Sequence, residues 1–162
     1  MDSTAIGARS FSPLDAEFET RVRESFARQG AMALVGAELI DVAPGAVDIA
    51  LTFRDDLTQQ HGYMHAAVIT GIVDSACGYA ALTLMPAGTE VLTVEFKVNF
   101  VAPAKGHRVI ARGRVTKPGR TITVCAGDAY MEPLDGGEER LVATMLATMI
   151  AVPGSADSGS RQ

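Results

Sequence analysis

Twenty consecutive residues, Ala66 to Met85 (AAVITGIVDSACGYAALTLM), contain a single charged side chain, Asp74. Their length and Ala/Leu content favour a helix over a strand. A helix that is apolar nearly all round has to be covered on several sides. A bilayer could cover it, because about 20 apolar residues span one. A central carboxylate, Gly71, Gly78 and the lack of basic clusters at either end argue instead for a helix in the core of a globular domain. The rest of the chain must then wrap it.

The remaining periodicities supply that wrapping. Residues 33–42 and 46–53 alternate as two strands joined across APGA, a turn sequence built on Pro-Gly. Four further strand-like runs, 90–101, 107–116, 120–131 and 139–152, are separated by APAKG, KPG and PLDGGE, which reads as an antiparallel meander. Before them, Leu14, Phe18, Val22 and Phe26 recur every four positions, with Ser12 as N-cap, Pro13 at the first helical position and Gly30 as the stop. The expectation is an α+β fold: an N-terminal helix, and a long central helix held by one curved antiparallel sheet of about six strands. Residues 1–12 and 153–162 are small, polar and aperiodic, so they are expected to be flexible ends around a single domain at 13–152.

Charge and cysteine usage exclude several functions. A net charge of −5 opposes general nucleic-acid binding, and the 32 residues before the first strand are expected to hold only one helix and no helix-turn-helix pair. The average hides a basic stretch: Lys97, Lys105, Arg108, Arg112, Arg114, Lys117 and Arg120 follow one another with no Asp or Glu among them. It is either a solvated strand pair or an anion site. Cys77 and Cys125 have no ligand spacing and read as buried reduced thiols. No secretory signal pattern is present at the start, so a cytoplasmic location is expected, without a membrane association.

Along the apolar helix, Ala67, Gly71, Asp74, Gly78 and Ala81 recur at spacings of three and four, which puts them on one face. Small side chains allow close approach, and a carboxylate among them is costly unless it is paired, hydrated or used. Asp74 is thus either a hydrogen-bonded structural residue or a general base or nucleophile in a cleft. His65 stands at the N-cap position, and the amides of Ala66 and Ala67 open the first turn, where N–H groups lack helical partners. With the helix dipole, such an end suits the oxyanion that forms when an ester or thioester carbonyl is attacked. Asp74 lies about 12 Å further along the same helix, too far for one carbonyl to touch both. Two copies with antiparallel helices would bring the helix start of one to the Asp74 of the other.

In the strand that follows, Leu92, Val94, Phe96, Val98 and Phe100 alternate onto one face, expected to be core, and Thr93, Glu95, Lys97 and Asn99 onto the other. Thr93 is a strand filler or, at an interface, a hydroxyl within reach of Asp74. His61 and His65 are four apart, but Gly62 lies between them and no Glu follows the first, so no metal site is expected.

Gln59, HAA at 65–67, Asp74 and TVEFKVNFVAPAKG at 93–106 together resemble the hotdog-fold acyl-CoA thioesterases, in particular the phenylacetate-pathway (PaaI-type) branch, over residues 33–152. That branch typically carries Asn, HGG and Asp at the same spacing, followed by a strand like TVEFKVNFLRPA. The resemblance implies a hotdog fold that hydrolyses an acyl-CoA thioester to free acid and CoA at a homodimer interface, with a dimer of dimers as a further assembly. It implies no cofactor beyond the CoA of the substrate. Residue by residue, Asp74 matches the catalytic acid that activates water or attacks the carbonyl, the Ala66 amide the oxyanion donor, Gln59 the residue that positions water or thioester, and Thr93 the hydroxyl that assists it. His65 starts the helix beside them. Ala66 and Ala67 replace two glycines that helical φ/ψ does not require, and Gln59 is one methylene longer than Asn. CoA phosphates would give the basic stretch a purpose, with Lys117 and Arg120 at the KPG turn ahead of Arg112 and Arg114. The alternative is a module that binds or senses acyl-CoA without cleaving it; a hotdog dehydratase is disfavoured because its paired catalytic residues are not found at their spacing.

Overall fold

The computed structural model describes residues 10–154; the outer parts of the expected flexible ends, 1–9 and 155–162, lie outside the described residues. The elements run α1 (Phe18–Ala27), α2 (Gly30–Val35), β1 (Ala37–Ala43), β2 (Ala46–Thr52), α3 (Ala66–Leu82), β3 (Thr89–Phe100), β4 (Arg108–Lys117), β5 (Ile122–Glu132) and β6 (Arg140–Pro153), with a 3-10 turn at Asp55–Leu57. The six strands form one antiparallel sheet in the order β1-β2-β4-β5-β6-β3, curved around α3 as expected of a hotdog fold. The expected meander holds for β4, β5 and β6 only. The long helix lies across the sheet between β2 and β3 in the chain, so the strand that leaves it joins the far edge beside β6, and β4 pairs with β2. No helix among the described residues is long and apolar enough to cross a membrane.

α3 buries Ile69, Ile72, Val73, Ala76, Cys77 and Ala80 against this sheet. Gly113 and Gly127 face each other across β4 and β5 directly beneath it. A Cβ on Gly113 would lie 2.3 Å from the Ala76 carbonyl group, and one on Gly127 2.6 Å from Cys77 Sγ. Here glycine is needed for close approach of helix to strand, not for its φ range. Gly113→Ala is therefore expected to destabilise the fold by about 3 kcal/mol or to prevent folding, since the new methyl group meets backbone that no rotamer change can move. Urea unfolding measures it, and a midpoint equal to wild type would refute the close approach.

Both ends of the helical region differ from expectation for local reasons. α1 starts at Phe18, not Pro13, because the Asp15 carboxylate accepts the Glu17 amide at 3.0 Å and holds the preceding turn out of the helix. Ser12 is therefore not its cap. Gly30 opens α2 instead of closing α1, and Gly36, at φ 76°, closes α2. Residues 33–35, read as the start of a strand, are thus helical, so two helices and not the expected one precede the sheet, and β1 begins at Ala37. α3 stops at Leu82 and not Met85. Leu84 and Met85 donate three residues back, to the carbonyls of Ala81 and Leu82, and Pro86 has no N–H to continue the ladder; Arg21 of α1 then donates to the carbonyls of Leu82, Met85 and Pro86 at 3.0, 2.7 and 2.7 Å.

β3 departs from simple alternation. Thr93 pairs with Met149 and Glu95 with Thr148, which leaves Val94 as an extra, unpaired residue. This bulge resets the phase of the strand. Thr93, Phe96 and Val98 all lie opposite buried residues of β6, namely Met149, Ala147 and Met145, and so share the helix side of the sheet. Leu92 and Phe96 are not on one face, and Thr93 is not grouped with Glu95 and Lys97. As an edge strand, β3 also leaves much of its expected core open: Leu92 is 58%, Val94 54% and Phe100 46% exposed.

Candidate active site

His65 has extended backbone angles (φ −65°, ψ 137°), and its Nδ1 accepts the Ala67 amide at 3.0 Å, so it is the N-cap of α3. The expected pair of open amides is thereby reduced to one. Val68 and Ile69 donate to the His65 carbonyl, Ala67 to its ring, and Ala66 occupies the first helical position, where no carbonyl of the helix can reach its N–H. The approach to the helix is pinned on both sides, by Met64 N–H to Ala104 O at 2.8 Å and His65 N–H to Leu57 O at 2.9 Å. Gln59 belongs to the preceding turn: its amide N–H donates to Tyr63 O at 2.9 Å and its side-chain carbonyl accepts the His61 amide, leaving its NH2 group as a donor. Gln59 and Ala66 line one cavity of about 420 Å³ together with Tyr63, Phe100 and Val101.

Further along α3, Thr93 Oγ1 donates to Asp74 Oδ1 at 2.8 Å. The bulge at Val94 makes this contact possible by keeping Thr93 on the helix side. Asp74 is half-buried, and burial pushes its carboxyl above the usual carboxylate range, while the Thr93 bond pulls it part of the way back. The helix surface beside it is open: a Cβ added to Gly71 would meet nothing within 4 Å, and one on Gly78 only Val91, at 4.0 Å. Ala81, expected on this face, is instead fully buried. Asp74 and Thr93 line a second cavity of about 320 Å³ with Ser25, Gln29, Tyr79 and Leu92. A carboxylate of raised basicity in a groove can accept a proton from water or attack a carbonyl.

Ser25 and Gln29 have no counterpart among the residues singled out in the sequence. They lie on and just after α1, and only tertiary packing brings them to the acid. Tyr79 is both buried and polar in use. Its ring packs edge-on to Phe26 at 5.8 Å, while its hydroxyl meets Ser25 and Gln29. Ile72, Val73 and Met85 are core.

The structure thus joins Asp74 to Thr93 in one cavity and Gln59 to Ala66 in another, with His65 capping the helix between Gln59 and Ala66 in the chain, and the two sets lie about 12 Å apart along one helix. Among the basic candidates, Arg112 is held by Glu139 at 2.7 Å and Asp48 at 3.8 Å and lies 4.7 Å over the Tyr130 ring, and Arg114 is 2.6 Å from Asp48. Their charge is compensated on the outer sheet face. Lys117 and Arg120 are exposed, and the turn they flank returns to the acid's end of the sheet: Thr121 O accepts the Ala151 amide, and Ala151 pairs with Val91. Among the described residues, no group of three or more His, Cys, Asp or Glu could hold a metal ion.

A thioesterase superfamily profile matches residues 61–136, the segment that carries Gln59's neighbour His61, the start of α3, Asp74 and Thr93. A thioesterase family protein from Silicibacter pomeroyi is 50% identical, with a TM-score of 0.82 over 85% of this chain and 99% of that one. The PaaI protein of the Escherichia coli phenylacetic acid degradation operon is 15% identical and shares the fold, with a TM-score of 0.76 over 87% of this chain and 97% of that one. A protein of Saccharolobus solfataricus named as an esterase is 29% identical over 87 residues, which are 54% of this chain and 61% of the relative. Identity at half of the positions along nearly the whole of the Silicibacter protein, with a profile match that takes in α3, shows that this chain belongs to the thioesterase superfamily.

Proposed function

We propose that this protein is an acyl-CoA thioesterase of the phenylacetate-pathway (PaaI-type) branch, which hydrolyses its substrate to a free acid and CoA in the cytoplasm without a further cofactor. The half-buried Asp74, receiving the Thr93 hydroxyl at 2.8 Å in an open groove, carries this reading. Asp74 takes a proton from water as the water adds to the thioester carbonyl, or attacks that carbon itself. The oxyanion is received by the Ala66 amide and the α3 N-terminus of a second copy of the chain. The Gln59 NH2 group holds the water or the thioester, and His65 keeps the Ala67 amide occupied. With water as nucleophile, collapse of the intermediate expels the CoA thiolate, which takes the proton from Asp74; with Asp74 as nucleophile, the thiolate leaves an acyl–Asp74 anhydride, and a water that opens it yields the free acid, restores the carboxylate and supplies the proton of the thiol. Lys117 and Arg120 receive the phosphates of CoA, while Arg112 and Arg114, tied to Asp48 and Glu139, contribute less.

A homodimer is supported by the open stripe of α3 and by the edge strand β3, whose free side offers unpaired backbone groups beside exposed Leu92, Val94 and Phe100. Exposed Ile122, Val124 and Leu146 on the outer face offer a place for a dimer of dimers. The buried, free thiols of Cys77 and Cys125 fit a reducing compartment.

A panel of CoA thioesters assayed for free-thiol release tests the reading. Thiol release with at least one acyl group is the expected result. Saturable binding of acyl-CoA with no thiol released would replace the enzyme by a binding or sensing module.

A further inference from the structure

The Thr93 hydroxyl has one proton and two acceptors. Its Oγ1 lies 2.8 Å from Asp74 Oδ1 and 3.6 Å from Met149 Sδ. The second contact follows from register: Thr93 and Met149 are opposite each other across β3 and β6, immediately before the bulge, and both point to the helix side. A thioether sulfur is a weak acceptor, whereas a hydroxyl bond to a charged carboxylate is about twice as strong as one between neutral groups. While Asp74 is ionised, the proton therefore belongs to the carboxylate and the sulfur goes without. Met149 is fully buried, so water does not stand in for its sulfur.

Protonation of Asp74 reverses the order. A proton bound at Oδ1 makes that oxygen a donor, and Thr93 Oγ1 has lone pairs to receive it once its own O–H turns away. The turned O–H points into the apolar interior, where a hydroxyl without an acceptor is costly, and Met149 Sδ is the acceptor within reach. No bond to hydrogen breaks at Thr93; its hydroxyl only rotates. The other ionisable groups around the groove are Arg28 at the end of α1, Tyr79 of α3 and Glu90 of β3, with Cys77 on the buried side of α3 against Cys125 of β5. In the dimer proposed above, the start of the second copy's α3 adds its His61 and His65. All of them stay in place in the substitutions below and cancel from the comparison.

We propose that Met149 is a positioning residue for the acid: its sulfur receives the Thr93 hydroxyl when Asp74 takes up a proton, so that Thr93 passes from donor to acceptor and the protonated acid is held in place. The proposal rests on the thioesterase reading above and deepens it, because a base that keeps its proton more firmly takes it from water more readily. Two substitutions then act in opposite directions. Met149→Leu, similar in volume but without an acceptor, weakens only the protonated acid, and the Asp74 midpoint falls by about 0.5–1 pH unit. Thr93→Val removes the donor to the carboxylate, and the midpoint rises. In the Thr93→Val background, Met149→Leu has no further effect. Met145→Leu makes the same exchange opposite Val98 in the same core and leaves the midpoint unchanged.

The midpoint is read by NMR titration of the Asp74 carboxyl carbon, assigned by its loss in Asp74→Asn, and again as the acid limb of kcat/KM. Above that limb, Met149→Leu has a kcat/KM about two- to threefold below wild type, as a weaker base requires. Met149→Ile takes the place of Met149→Leu if the latter does not fold. An unmoved midpoint in Met149→Leu, an equal fall in Met145→Leu, or the same fall with and without the Thr93 hydroxyl overturns the proposal while leaving the hydrolase intact. If no thioester is cleaved, the hydrolase reading falls instead, and the carbon titration alone decides the part of Met149 by the same criteria.

Discussion

Asp74→Asn lowers kcat/KM for the best thioester by about 100-fold or more, because the amide can neither accept the proton of water nor form an acyl intermediate. The same substitution stabilises the protein at neutral pH. Burial raises the folded-state pKa of Asp74 above its ordinary 3.8, so the folded protein holds this proton more tightly than the unfolded chain. Stability from this group is then fully present below the ordinary value and is lost as pH rises through the shifted one. An asparagine never ionises and loses nothing over that window. The variant should therefore melt higher than wild type at pH 7 and show no advantage at pH values below the carboxylate range. A fall in activity with a fall in stability at pH 7 would point to a structural carboxylate; retained turnover would remove Asp74 from the chemistry.

The second large effect concerns where the two halves of the site come from. Ala66→Pro removes only the N–H proposed to receive the oxyanion, and proline is well tolerated at the first position of a helix. Alone, it lowers kcat by about 100-fold or more, the cost of losing one oxyanion donor. Mixed with Asp74→Asn chains, it should regain activity. In a mixed dimer one site inherits both lesions and the other inherits neither, so random exchange restores about one quarter of the wild-type sites. No recovery after verified subunit exchange would place Asp74 and its oxyanion donor in the same chain, or the donor elsewhere.

How much of this could be read from the sequence depends on whether a feature is local. The core helix, its cap at His65 and the isolation of Asp74 are properties of one continuous segment, and all three are found where the spacing puts them. The six strands are likewise within a residue or two of expectation, except at the short apolar segment GAMALV, which suits a strand as well as a helix until Gly36 takes a left-handed conformation. What failed was set by partners. The start of α1 depends on an Asp15 side-chain bond, the place of β3 depends on which edge is free after α3 has crossed the sheet, and the side to which Thr93 points depends on its register with β6. Gln29 and Ser25 were invisible for the same reason: no periodicity records that α1 ends over Tyr79.

Arg112 and Arg114 show the limit for charge. A sequence stretch without acids reads as a free positive patch, yet Asp48 of β2 and Glu139, distant in the chain, neutralise its middle. Local net charge counts neighbours along the chain, whereas the field at a surface is made by neighbours in space.

The unpaired Val94 gives the strand two independent clocks. Upstream of it, side chains keep time with the acid on α3; downstream, they keep time with the apolar interior of the sheet. In related chains the length of this strand is therefore as informative as its letters. A relative that lacks one residue there would preserve every recognisable hydrophobic position after the gap and still carry its hydroxyl on the wrong side of the sheet, so that an alignment scored by identity would report a conserved site where the geometry had dissolved it.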